Sequence, residues 1–131
     1  MSRNWHIVVA LSAFLAVAAS PSPSQGPELH AVMREKLVKA QKILEAVVTS
    51  DWPSLESHSR ELEQLTNDPR WTVLKYPEYA TRSAAFTRAI RALHTAAAQR
   101  DLEAAPKAYI DVTLQCVECH RYLARMRIAQ P

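Results

Sequence analysis

Glycine is almost absent from this chain, in which Gly26 is the only one among 131 residues. Hairpin turns and β-bulges often need glycine, because it reaches backbone conformations with positive φ at little cost. A chain without glycine after residue 26 is therefore poorly suited to a β-sheet. The remaining sequence is rich in Ala, Leu, Glu, Arg and Lys, which favour helix. We predict an all-α fold.

Four segments have apolar residues at three- and four-residue steps, the spacing of an amphipathic helix. The predicted helices cover residues 28–49, 52–66, 78–99 and 102–128. Short links join them, which predicts an antiparallel four-helix bundle in a single domain over residues 28–128. Pro106 lies about five positions into the fourth helix, so we expect the start of that helix to be bent or irregular.

Each helix has a predicted inner stripe. In the first it is Leu29, Met33, Leu37, Ala40, Leu44 and Val47, and Lys36 falls among the charged residues of the other face. In the third helix the stripe includes Tyr79, Ser83, Phe86, Ile90, Leu93 and Ala97, with Arg82 outside. Between the second and third helices lie Trp71, Leu74 and Tyr76, which are too apolar for a solvated loop. They either close one end of the core or form the wall of a cofactor pocket.

The N-terminus has the pattern of a secretory signal peptide over residues 1–18. Arg3 precedes an apolar run that is too short to span a membrane, and Ala16-Val17-Ala18 matches the small-x-small cleavage site. Residues 19–27 read as a flexible linker with two Ser-Pro pairs. We expect an exported, periplasmic protein without a membrane anchor.

The charges are nearly balanced, with 16 basic and 13 acidic residues. The basic residues are scattered and form no cluster, so we do not expect a nucleic-acid partner. Paired carboxylates, a nucleophile elbow and a phosphate-binding loop are not recognisable in the sequence. We therefore expect no enzymatic activity.

The two cysteines of the chain both lie in the pentapeptide Cys116-Val117-Glu118-Cys119-His120. C-x-x-C-H is the attachment signature of c-type haem. The two thiols add to the haem vinyl groups, and the imidazole becomes an axial ligand of the iron. A redox-active dithiol is the alternative, but its usual βαβ context is missing. We predict one covalent haem c with His120 as the proximal ligand.

The ligand on the opposite side of the iron is expected from an earlier helix, because only a short segment follows His120. Met126 is six residues after His120 on the same helix and cannot reach the opposite face. Met33 lies on the apolar stripe of the first helix and can, so it is the tentative distal ligand, with His30 a weaker candidate. Methionine on such a stripe is also common as a core residue.

The pentapeptide in a C-terminal helix, followed by Tyr122 and Arg125, resembles the cytochrome c-prime family of four-helix-bundle cytochromes. The resemblance covers roughly residues 28–127, and residues 33–37 look like the distal helix of that family. It implies that Met33 corresponds to the sixth ligand of the low-spin relatives, and it implies a homodimer through the first two helices. The family often has arginine four residues after the haem histidine, whereas this chain has Ala124.

Two functions follow from these features. The first is a periplasmic cytochrome that carries electrons to and from redox partner proteins, with His120 and Met33 on the iron. The second is a five-coordinate protein that binds nitric oxide or carbon monoxide, in which Met33 and Leu37 form an apolar distal wall.

Overall fold

The computed structural model describes residues 27–72 and 74–129. The predicted signal peptide at 1–18 and nearly all of the predicted linker at 19–27 lie outside the described residues. Within these ranges the chain forms four α-helices, one short 3₁₀ helix and no β-strand. The α-helices are α1 (Pro27–Thr49), α2 (Trp52–Leu65), α3 (Pro77–Ala98) and α4 (Ala104–Ala129), and the 3₁₀ helix is Pro69–Thr72. This confirms the all-α class, and the arrangement is consistent with a helical bundle.

Serine and arginine replace glycine where α1 and α3 end. Ser50 and Arg100 have φ values of 54° and 53°, in the left-handed region that glycine adopts most easily. At both ends the next residue is an aspartate, whose backbone N–H bonds back to a carbonyl five residues earlier at 2.9 and 3.0 Å. Asp51 then caps α2 and Asp101 caps α4, so each helix stop is followed directly by a helix start.

The start of α4 differs from its prediction. The Asp101 carboxylate accepts hydrogen bonds from the backbone N–H groups of Glu103 and Ala104 at 2.9 Å, and the helix begins at Ala104. Pro106 therefore lies in the first turn, where its missing N–H has no intrahelical partner to lose. The helix is continuous from Ala104 to Ala129, so the irregular stretch comes before the helix and not, as predicted, within it.

The core confirms the predicted inner face of α3, whereas only part of the stripe predicted for α1 is buried. Leu37 and Leu44 are 59% and 46% exposed, while Lys36 is only 9% exposed. The buried face of α1 consists of Leu29, Val32, Lys36, Ile43 and Ala46. The buried face is rotated relative to the predicted stripe. The reason is that α1 is apolar around much of its circumference, so packing against α2 determines which residues are buried.

Successive helices pack against each other along their lengths, whereas α1 and α4 make few contacts. The Tyr109 hydroxyl of α4 donates a hydrogen bond of 3.2 Å to the Ala40 carbonyl of α1. Further along both helices the gap between them is wide enough for a cavity. No helix among the described residues is long and apolar enough to cross a membrane.

Candidate functional site

A cavity of about 500 Å³ lies between α1, α3, α4 and the 3₁₀ helix. Its volume falls in the range of roughly 300–1,000 Å³ that is typical of small-molecule and cofactor sites. Met33 and His30 of α1 line it, and so do Cys119 and His120 of α4. The cavity therefore brings together residues from the first helix and from the C-x-x-C-H pentapeptide, which are far apart in sequence.

The pentapeptide residues differ in their relation to this cavity. Cys119 is half-buried and lines it, and His120 lines it while remaining largely exposed to solvent. Cys116 is half-buried and packs against the core, but is not among the lining residues. The two thiols are free, with no disulfide between them. Met126 lies on the same helix as His120 and does not line the cavity.

Burial raises the pKa of the Cys119 thiol, and the charges of Lys36 and Arg82 act in the opposite direction. The buried thiol therefore stays protonated more readily than a free one, although two cations lie near it.

Aromatic rings form the wall opposite α4. Trp71 is buried and packs on Phe86 with the ring centroids 5.5 Å apart, and both rings line the cavity. The Tyr79 hydroxyl donates a hydrogen bond of 2.6 Å to the Trp71 carbonyl, which fixes the 3₁₀ helix against α3. Burial raises the pKa of Tyr79 to about 12. Trp71 therefore both closes the core and forms the pocket wall, whereas Tyr76 is exposed.

Lys36 is the unexpected residue of the site. Its ammonium lies 3.5 Å from the centroid of the Phe86 ring and 4.3 Å from that of Trp71, in cation–π geometry. It has neither an ion pair nor a hydrogen bond among the described residues, and it lines the cavity one helical turn from Met33. Burial lowers the pKa of Lys36, while the charges of Cys116 and Cys119 raise it.

Arg82 also contributes to the cavity, although the sequence predicted it outside. It pairs with Glu78 at 2.7 Å and reaches Glu118 of the pentapeptide at 3.9 Å. Its guanidinium lies 5.1 Å from the Tyr122 ring. These contacts connect α3 to the haem-signature segment of α4. Glu118 and Tyr122 are far from Arg82 in the sequence, so the residues next to position 82 showed only that it is polar.

The sequence did contain a signal for Lys36. Residues three apart share a face of a helix, so a lysine three positions after Met33 lies on the same side as the candidate ligand. For Leu37 the prediction was wrong: it is largely exposed and does not line the cavity, and Phe86 and Trp71 form the apolar wall instead.

The donor set of the cavity fits a covalently bound haem. Thiol, imidazole and thioether groups are present, which are the attachment and axial groups of c-type haem. The described lining contains no carboxylate, and the buried Nε atoms of Trp71 and Arg82 have no hydrogen-bond partner among the described residues. The walls are mostly apolar and aromatic, as a porphyrin requires. Comparison of the chain with family models, with curated proteins and with solved structures finds no match in any of the three.

Proposed function

We propose that this chain is a periplasmic c-type cytochrome that transfers electrons through one covalently attached haem. The observation that carries the proposal is a single cavity lined by Met33 on one side and by His120 and Cys119 on the other. The C-x-x-C-H spacing adds the chemistry of attachment. When bound, the haem supplies an iron that alternates between the ferric and ferrous states.

The two cysteines would hold the cofactor through C–S thioether bonds, formed by adding each S–H across a vinyl C=C bond. Cys116 and Cys119 are three residues apart on α4 and share a face of the helix, and of the two Cys119 lines the cavity. His120 follows directly and supplies a neutral imidazole nitrogen as the proximal ligand.

Met33 supplies the distal ligand in this proposal. It is half-buried, lines the cavity, and belongs to α1, which faces α4 across the gap. A thioether sulfur favours the ferrous state and raises the reduction potential. The surrounding rings of Trp71 and Phe86 exclude water from this side, which acts in the same direction.

The absorption spectrum of the purified, haem-loaded protein tests the ligand set. We expect a low-spin spectrum with a methionine-to-iron charge-transfer band that disappears in Met33→Ala. Met126→Ala is the matched control, because Met126 is also half-buried but does not line the cavity. A high-spin ferric spectrum that is the same in Met33→Ala would instead support the five-coordinate gas-binding function, for which the apolar wall of Trp71 and Phe86 is suited.

Denaturation tests whether the haem is attached covalently. Haem should stay with the denatured wild-type chain and should be lost on denaturation of the double variant Cys116→Ala, Cys119→Ala. A colourless protein after expression with haem-attachment machinery would contradict both haem functions. Export is tested by N-terminal sequencing of the mature protein, which should begin at Ala19 if cleavage follows Ala18.

A homodimer through the first two helices is part of the proposal. Leu37, Leu44 and Val48 of α1 are exposed at 59%, 46% and 74%, and their spacing aligns them along one side of the helix. An exposed apolar stripe of this kind is typical of a surface that another protein covers.

A further inference from the structure

We infer that the α1 side of the cavity binds a small monovalent anion, with the Lys36 ammonium as the binding cation. The inference rests on the proposed function, because the anion would occupy the distal side next to Met33. It goes beyond that function, since an electron carrier with two protein ligands needs no such site.

The first support is the burial of Lys36 without an anionic partner. Lysine is almost never buried unless it is paired, because removing its charge from water is costly. Here the side chain is 9% exposed, and its described partners are the faces of Phe86 and Trp71. The rings stabilise a positive charge but leave the three N–H donors of the ammonium without an acceptor.

The second support is the charge pattern of the cavity. Lys36 and Arg82 are the cationic residues of its described lining, and that lining contains no Asp or Glu. Arg82 is already paired with Glu78 at 2.7 Å. Lys36 is therefore the unpaired charge in a mostly apolar cavity, where an anion gains more from a cation than it would in water.

The propionates of the haem are the competing anionic partners of Lys36. A lysine already paired with a propionate would leave the azide affinity unchanged in Lys36→Leu, so the titration below separates the two partners.

Azide binding to the ferric, haem-loaded protein tests this site, because azide is a small anion at neutral pH. The measurement is made in a Met33→Ala background, where the distal side is open. We expect Lys36→Leu, which removes the charge without adding a sulfur that could bind the iron, to weaken azide binding about 10- to 100-fold, the range for loss of a hydrogen bond to a charged group. The readout is the shift of the haem absorption band during titration. Lys42→Leu is the matched control, since Lys42 lies on the exposed face of α1.

Carbon monoxide provides the second measurement. It is neutral, so its affinity for the ferrous protein should change less than about 3-fold in Lys36→Leu. Equal weakening of both ligands would show a general distortion of the cavity and would overturn the role of charge. Circular dichroism of each variant checks that the helices are intact.

Three outcomes show whether the inference alone or the proposed function as well is wrong. A haem-loaded protein whose azide affinity is unchanged in Lys36→Leu overturns the inference alone. Tighter azide binding in that variant would mean that the lysine amine occupies the iron site itself, which also overturns it. A protein without haem overturns the proposed function together with the inference.

Discussion

Lys36 also makes a quantitative prediction about stability, because its side chain is only 9% exposed and has no carboxylate partner among the described residues. Burial lowers its pKa below the ordinary value of 10.5 in the folded chain, and the charges of Cys116 and Cys119 oppose this. In the haem-loaded protein the two thiols would be thioethers, which do not ionise. The lowering by burial then acts without that opposition.

The sign follows from proton binding. Between the lowered folded pKa and 10.5, the unfolded chain binds more protons at Lys36 than the folded chain does, so the free energy of unfolding rises with pH. Below the folded pKa, Lys36 is charged in both the folded and the unfolded chain, so the full cost of burying the charge lowers the free energy of unfolding. For a single group the slope cannot exceed about 1.4 kcal/mol per pH unit. We therefore expect wild type to gain stability relative to Lys36→Met as the pH rises through this interval.

Urea unfolding of the haem-loaded protein, followed by circular dichroism from about pH 7 to about pH 10, measures this difference. Subtracting the variant from wild type removes the contributions of other titrating groups, including Tyr79, whose pKa is raised to about 12. Lys42→Met should show no such trend, because Lys42 is exposed. A difference between wild type and Lys36→Met that is constant over the whole interval would refute the argument that the Lys36 charge is buried.

Three further predictions concern the frame of the site and its surface. Arg100→Gly should raise the free energy of unfolding by about 0.5–1 kcal/mol, because φ is 53° there and glycine avoids the cost of the left-handed conformation. Thermal unfolding measures the change, and a lower melting temperature would contradict the prediction. Tyr109→Phe should lower the free energy by about 0.5–1.5 kcal/mol through loss of the bond to the Ala40 carbonyl, measured by urea unfolding with the exposed Tyr76→Phe as control. Leu44→Glu should convert the proposed dimer to a monomer in light scattering, whereas Leu102→Glu, at a more exposed site outside α1, should not.

The sequence predicted the fold class and most helix limits, because these depend on local chemistry. The prolines, the capping aspartates and the periodic stripes of α2 and α3 are all readable over short windows. On α1 the same method failed, since Leu37 and Leu44 are as apolar as the residues that are buried. Which face turns inward depends on the partners of the helix, and a local pattern does not contain them.

The site shows the same division between local and long-range information. The pentapeptide and Met33 were identified from the residues alone, and one cavity is lined by Cys119, His120 and Met33. The spacing of Lys36 from Met33 placed both on one side of α1, but the burial of its side chain could not be predicted, because the rings that stabilise the ammonium come from the 3₁₀ helix and α3. A charged residue is assigned to solvent by default, and only the tertiary structure supplies the aromatic faces that permit its burial.

The cavity also bears on why the chain would need its cofactor to be stable. The cavity of about 500 Å³ is open to water where the exposed His30 and His120 line it, so the helices around it lack the packing contacts that a filled core would make. A covalently held porphyrin fills the space with apolar surface and joins α1 to α4, which otherwise make few contacts. Under the proposed function the haem is therefore part of the core, and preventing its attachment should lower the free energy of unfolding as well as remove the redox centre.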